Sequence, residues 1–378
     1  LPASRPDISI LLDRFGPGGV ERVACLVASG LARRGFGIEM LVLEDDGPTR
    51  ELVTEEVRVR VLPQLAAEQR RDRMAAAVPK VADYLAEHSP RLFHAPGNHT
   101  IRPAGRAVEL AGFGGVFVPK ITNPLVGKKT SWWKRRSRKL QYRNVLRRAQ
   151  GILVLSPAGV DEVAAVDRSL RGRARFIHNP YVSDAMLGRA AERKPANPPV
   201  ILSVGRLSEQ KNQALLLRAA VRLRDRDWRI RLCGVGPDEP MLRELAAELG
   251  IAERVEFAGF VSDPIPEYLR ASVSVQASRW EGLPATVLEA IACGCPVVAT
   301  ASSSGLVNLL HEVGARKPVK VEDETGLASA IQEALDGRLR PVPPEASLPY
   351  GINASLDEHA AVFGGLLEQP RQAWRSVG

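Results

Sequence analysis

Two cations and two carboxylates in the second half of this 378-residue chain have the types and spacing for chemistry on a phosphorylated, hydroxyl-rich ligand. In VGRLSEQKNQALLLRA, Arg206 and Lys211 flank a turn between a β-branched run and an apolar helical pattern. Fixed cations at such a turn neutralise a diphosphate and stabilise it as it departs, although the same pair also reads as ordinary surface charge. In SRWEGLPATVLEA, Glu281 and Glu289 stand eight positions apart around a Gly-Leu-Pro corner. Pro284 suits the first position of a helix, which places Glu289 about 7.5 Å along the axis at ~1.5 Å per residue and leaves Glu281 in the loop before it. Nothing in this spacing makes the two face each other across a glycosidic bond, so recognition of hydroxyls by two separate carboxylates fits better than an acid–base pair. The bland alternative is a first-turn charge and a surface salt bridge.

Glycine-rich turns accompany these groups. Gly16, Gly18 and Gly19 precede a helical pattern from about Val20 to Arg34, where backbone amides and the helix dipole favour an anion. The dinucleotide fingerprint G-x-G-x-x-G is not met, because its sixth position counted from Gly16 is Glu21. Gly234 and Gly236 mark a second such turn, and each turn also reads as a plain tight turn. Phe260 and Val261, after VEFAG, offer backbone groups and an apolar face to a planar ring.

The elements that must position these residues alternate. Short β-branched runs (ISILLD, IEMLVLE, VRVRVLP, LFHAPG, VFVPKIT, GILVLSP) are separated in several places by Ala/Leu/Arg-rich segments, and a second set follows (VILSVG, IRLCGVG, VEFAGF, VSVQAS, CPVVATA). Strand–helix alternation predicts an α/β fold with mainly parallel sheets and ligands at the carboxyl ends of the strands. The proline-rich RAAERKPANPP, 189–199, reads as a linker. Two doubly wound domains, 1–188 and 189–355, with a C-terminal helical segment at 356–378 packing on the outside, are the expected organisation.

Composition, 45% hydrophobic and 25% charged with 5% aromatic, is that of a globular α/β chain. Four scattered cysteines do not form a disulfide framework, and Cys293-Gly-Cys295 lacks a second pair at zinc-like spacing, so no metal ligand is assigned. No apolar stretch is long enough to span a membrane, and the N-terminus lacks the layout of a signal peptide, so a cytoplasmic location is expected. Between Lys120 and Arg148 lie eleven Lys or Arg and no acid, more than the whole chain's net charge of +9. With Trp132 and Trp133 in the same run, peripheral contact with an anionic membrane competes with a solvated basic face. Sequence-blind attraction to nucleic acid is the third reading, without a recognition motif to support it.

Taken in order, GGVER, HNP (178–180), GRLSEQKN, GVGP, FAGFVSD and EGLPATVLEAIACGCPVVAT resemble the retaining glycosyltransferases of the GT-B fold, family 4, over nearly the whole chain. The resemblance implies two Rossmann-like domains facing across a cleft, the N-terminal one for the acceptor, the C-terminal one for a nucleotide diphosphate sugar, and a terminal helix returning to the former. It implies that Gly18 and Gly19 lie beside the donor phosphates, with Gly205 and Leu283 among the donor-binding residues, and that Arg206 and Lys211 hold the diphosphate in place of a metal ion. Glu289 would accept from the ribose, Glu281 would contact the donor sugar, and backbone at Val261 would meet the base. Transfer of a hexosyl group with retention, by front-side attack, to a glycan or lipid-linked acceptor in bacterial surface polysaccharide synthesis is the expected reaction, with a UDP-sugar favoured over a GDP-sugar and no cofactor. Many members carry a His after the strand matching VFVPKIT, where this chain has Thr122-Asn123. Asn123 substitutes as a hydrogen-bonding group without proton chemistry, and His94 and His99 are the other candidates. A nucleotide-sugar-binding protein without transfer activity, or a GT-B epimerase, is the alternative.

Overall fold

The computed structural model describes residues 5–62, 69–125 and 132–368. The chain divides into two compact units, Leu1–Pro180 with Asn353–Gly378, and Tyr181–Ile352. The first holds seven parallel strands: β1 (Ile8–Leu11), β2 (Ile38–Val42), β3 (Arg58–Val61), β4 (Leu92–Ala95), β5 (Val116–Ile121), β6 (Ile152–Val154) and β7 (Ala174–Phe176), in the order β3-β2-β1-β4-β5-β6-β7. Helices cover both faces, which is why β1, β4 and β6 are mainly apolar and buried at every residue, whereas the edge strand β3 is the alternating RVRV. Ile8 of β1 stands opposite Ile38 on one side and Leu92 on the other, so the strand order reverses between β1 and β4.

The second unit repeats the plan with five parallel strands: β8 (Val200–Val204), β9 (Arg229–Cys233), β10 (Val255–Gly259), β11 (Val273–Gln276) and β12 (Val297–Ala299), ordered β10-β9-β8-β11-β12. Its order reverses between β8 and β11. The buried Trp228 keeps its indole N–H satisfied by donating to the Leu223 carbonyl at 2.7 Å. Both units are doubly wound, as the alternation of strands and helices in the sequence requires.

The division falls at Pro180 and not at 188. Tyr181 and Val182 already donate their backbone amides to the Tyr350 carbonyl, at 3.0 and 2.9 Å, and Lys194 and Ala196 donate to Leu269 and Arg270. The stretch read as a linker is therefore bound along the second unit. The helix Ile352–Glu368 packs with the first, burying Leu356, His359 and Phe363 on one face. A Cβ at Gly30 would come within 2.4 Å of Leu356, so that glycine sets how closely the helix seats. Lys120 on β5 is 1% exposed and donates to Asn179 Oδ1 and to His359 Nε2, the latter at 3.2 Å. His359 Nδ1 faces the Ser355 carbonyl at 2.8 Å, an acceptor, so the proton sits on Nδ1 and Nε2 is the acceptor for the lysine. His178 completes the clasp through Glu358, at 3.0 Å. The HNP segment thus anchors the C-terminal helix.

The basic stretch is not one surface. Lys120 is core, Arg143 and Arg147 both bind Asp167, and Arg148 pairs with Glu109. What remains is the first part of the helix Trp132–Leu146, where every residue from 132 to 141 is exposed. Trp132 and Trp133 stand out at 61% and 74% exposure beside Lys134, Arg135, Arg136, Arg138 and Lys139. Lys128 and Lys129 lie outside the described residues. No helix among the described residues is long and apolar enough to cross a membrane.

Candidate functional site

In the second unit the residues singled out by the sequence converge on the carboxyl ends of β8 and β11, where the strand order reverses and doubly wound sheets open a crevice. β8 is followed by Gly205, whose φ of +142° turns the chain away from the strand. The next turn presses on this one: a Cβ at Gly234 would lie 2.1 Å from the Gly205 carbonyl oxygen, and one at Gly236 would lie 2.0 Å from that of Leu207. The GVGP glycines therefore serve loop-to-loop packing, which fixes the backbone of Arg206. The Arg206 side chain is exposed and makes no ion pair among the described residues.

Lys211 is the opposite case. Its ammonium lies 2.6 Å from Glu281 Oε1, with the two side chains 20% and 8% exposed. The same oxygen accepts from Ser278 Oγ at 2.9 Å and Gln276 Nε2 at 3.1 Å, while Oε2 accepts from Gln210 Nε2 at 3.2 Å. Four donors compensate the desolvation of this carboxylate and fix the lysine over the turn. Glu281 is thus first a holder of Lys211. Gln276 is itself oriented by the Thr286 hydroxyl, which donates to its Oε1 at 3.0 Å.

Glu289 has different company. The helix is Ala285–Ala292 and Pro284 sits at its N-cap, so Glu289 lies one residue closer to the helix start than predicted. It is 3% exposed and accepts a hydrogen bond from Tyr268 Oη at 3.0 Å. Leu283 is buried, its carbonyl accepting from Tyr181 Oη at 3.2 Å. Val261 is half-buried in the loop after the edge strand β10, next to Phe260 at 59% exposure. Cys293 and Cys295 are unpaired packing thiols, pushed up to about 12 and about 11 by burial.

In the first unit the corresponding reversal lies between β1 and β4. Gly18 is the N-cap of the helix Gly19–Ala32, but the Glu21 carboxylate folds back over it so closely that a Cβ on Gly18 would overlap Oε2. The anion expected beside Gly18 thus meets a carboxylate of the chain itself, while the space beside Gly19 is open. Burial raises the Glu21 pKa, Arg70 pairs with it at 3.3 Å, and His99 Nε2 lies 3.8 Å away. His99 is held neutral, pushed down to about 4 by burial and then by Arg70. Asp13 is gripped by Arg73 through two bonds of 3.0 and 2.7 Å.

Asn123 is placed by a residue that the sequence did not single out. Asn98 accepts from the backbone amides of Thr122 and Asn123, at 2.8 and 3.2 Å, and donates to the Asn123 carbonyl at 2.8 Å. His94 leaves the candidate list: it lies within β4, 2% exposed, with Nδ1 2.7 Å from the Val118 carbonyl and its ring against Phe363. Burial, followed by the charge of Lys120, pushes its pKa down to about 3, so it is a neutral core residue. A cleft of about 610 Å³ lined by Arg229, Arg231, Arg254 and Arg270 lies where β8, β9 and β10 begin, at the wrong ends of these strands. Arg231 there is already saturated by Glu267 and Glu256.

Two family patterns match the chain: "Glycosyl transferase 4-like domain" over residues 18–180 and "Glycosyl transferases group 1" over 187–346. The chain belongs to the group 1 glycosyltransferases. Relatives within the glycosyltransferases include the Campylobacter jejuni N-acetylgalactosamine-N,N'-diacetylbacillosaminyl-diphospho-undecaprenol 4-alpha-N-acetylgalactosaminyltransferase, 35% identical over 169 residues, 44% of this chain and 46% of that one. The lipopolysaccharide core biosynthesis glycosyltransferase LpsE of Rhizobium meliloti is 35% identical over 153 residues, 40% of this chain and 44% of that one. The matched stretch spans less than half the length of these two curated relatives. Among solved structures, Anabaena Alr3699/HepE in complex with UDP aligns with a TM-score of 0.73 over 95% of this chain and 100% of that one, at 19% identity, a likeness of fold. The group 1 match contains Arg206, Lys211, Glu281 and Glu289, and the 4-like match contains Gly18, Glu21, His99 and Asn123.

Proposed function

We propose that this chain transfers a hexosyl group, with retention, from a UDP-sugar to a glycan or lipid-linked acceptor in bacterial surface polysaccharide synthesis. The second unit takes the donor and the first the acceptor. The observation that carries this reading is the Lys211 ammonium, fixed 2.6 Å from Glu281 at the carboxyl end of β8 beside that of β11. A cation so held offsets the charge that grows on a departing diphosphate, and Arg206, exposed and unpaired among the described residues, adds a second. These two do the work otherwise given to a metal ion, the leaving phosphate takes the acceptor's proton, and no side chain needs to act as a base. Glu289 receives the ribose. The preference for UDP is supported by the fold shared with a UDP-bound structure, and the lipid-linked acceptor by the diphospho-undecaprenol in the Campylobacter relative's name. The test is a thermal shift and titration with UDP and GDP in the presence of EDTA. UDP is expected to raise the melting temperature in the chelator more than GDP does. No response to either nucleotide would remove the donor site.

The same reading places the protein against an anionic membrane through Trp132, Trp133 and the exposed cations from Lys134 to Lys139. Each cation near such a surface contributes about 1 kcal/mol, and indole rings favour the headgroup level. Sedimentation with vesicles containing phosphatidylglycerol is expected to carry the wild type down. Reversing Lys134, Arg135 and Arg136 to Glu should weaken binding by at least about a hundredfold, because about 1 kcal/mol is lost per removed cation and repulsion is added. Equal sedimentation of wild type and variant would remove this helix from the contact.

A further inference from the structure

The buried pair of Tyr268 and Glu289 has no counterpart in the reaction just proposed, which calls only on the carboxylate. Tyr268 lies on the short helix Ile265–Arg270 and is 0% exposed, and its hydroxyl reaches across to a carboxylate that is itself 3% exposed. Apolar packing explains a phenyl ring at this place. It does not explain a hydroxyl aimed at a carboxylate on a neighbouring helix. We infer that Tyr268 is the positioning residue for Glu289 in recognition of the nucleoside's ribose diol, an inference that rests on the donor site proposed above.

A carboxylate on a flexible Glu side chain rotates freely about its terminal bond, so its lone pairs have no fixed direction. A phenol donating to Oε2 fixes the plane of the group and with it the direction in which Oε1 presents its lone pairs. That direction decides whether two vicinal hydroxyls are met together or one at a time. The phenol is also a lasting donor: burial, and then the charge of Glu289 beside it, raise its pKa well above the ordinary tyrosine value. The hydrogen bond therefore persists across the working pH range. Sequence spacing alone gives no sign of it, since the two residues are 21 positions apart.

The test pairs two ligands with two variants, using calorimetric titration of the full chain with UDP and with 2′,3′-dideoxy-UDP, which lacks both ribose hydroxyls. Tyr268→Phe is expected to weaken UDP roughly tenfold while changing the dideoxy nucleotide less than about twofold, the size of one positioned charge-assisted hydrogen bond. In a Glu289→Gln background, Tyr268→Phe should have no further effect on UDP. Equal losses for both ligands mean that the hydroxyl serves only the fold, and no loss for either means that it serves neither; each result overturns the inference. Should Tyr268→Phe fail to fold, Glu289→Gln alone decides: an unchanged ratio of UDP to dideoxy-UDP affinity overturns the inference. Wild-type protein that binds no UDP overturns the donor reading itself, a separate outcome from any of these.

Discussion

Lys211→Ala is expected to weaken UDP by roughly two orders of magnitude and to lower the melting temperature of the ligand-free protein as well. The first effect follows from the proposed role of Lys211 against the diphosphate, where one buried charge pair is worth about 2–5 kcal/mol. The second follows from what is left behind. Glu281 remains buried with Ser278, Gln276 and Gln210 as its donors, none of them charged. Stranding a buried charge completely costs about 3–5 kcal/mol, and the three remaining hydrogen bonds reduce that to about 1–3 kcal/mol. For a unit of this size the melting temperature falls roughly 2–4 °C per kcal/mol. Lys211→Met combined with Glu281→Gln removes both charges and should recover most of the stability but none of the UDP affinity. Unchanged affinity in Lys211→Ala would take this lysine out of the donor site.

Lys120→Met is expected to change how stability depends on pH. Burial pushes the Lys120 pKa down to about 7 in the folded protein, against 10.5 for an ordinary lysine. Between these values the unfolded chain binds the extra proton, so stability rises with pH across that window. From pH 7 to pH 8.5 the gain is on the order of 1–2 kcal/mol. Above about pH 9 four buried thiols oppose it: Cys25 and Cys295, pushed up to about 11, and Cys233 and Cys293, pushed up to about 12, stay protonated in the fold while their unfolded counterparts ionise. The buried histidines His94, His99 and His359 have lowered pKa values, so their stability is fully present above the ordinary histidine range and does not interfere. Urea unfolding at pH 7 and 8.5 should therefore show a rise in wild type that Lys120→Met lacks. Equal slopes for the two proteins would contradict the buried-cation account.

What could be read in advance was what repeats or what is chemically conspicuous. Largely buried strands such as ISIL and VILSV announce themselves because both faces are mostly apolar, whereas β7, only Ala174–Phe176 with an arginine at its centre, carries no such pattern. Arg206, Lys211 and Glu281 are conspicuous charges just after strands and Glu289 is one on the helix that follows, and the fold sets β8 and β11, after which they come, side by side. Their partners did not stand out. Tyr268, Gln276, Ser278 and Asn98 are ordinary residue types whose roles come from tertiary proximity, and nothing in their local sequence separates them from core or surface residues. The same holds for Glu21, which in the sequence only breaks the dinucleotide fingerprint and in the fold lays its carboxylate over Gly18. His94 misled for the converse reason. Histidine suggests chemistry by its type, but its place inside a strand, in the middle of a parallel sheet, made it core.

The clasp on the C-terminal helix also governs the order in which the protein is made. Lys120 and its acceptor His359 are separated by 239 positions, and the whole of the second unit is encoded between them. At translation rates of roughly 5–20 residues per second, the ribosome takes about 10–50 s to cover that distance. Once β7 has been made, and for the rest of that interval, the first unit has its seven strands but lacks the helix that accepts from Lys120 and covers Gly30 and His94. The second unit, begun later, has all its residues first. The unit made earlier is the last to close its core, and a nascent chain halted just after residue 352 carries a finished second unit joined to an unfinished first one.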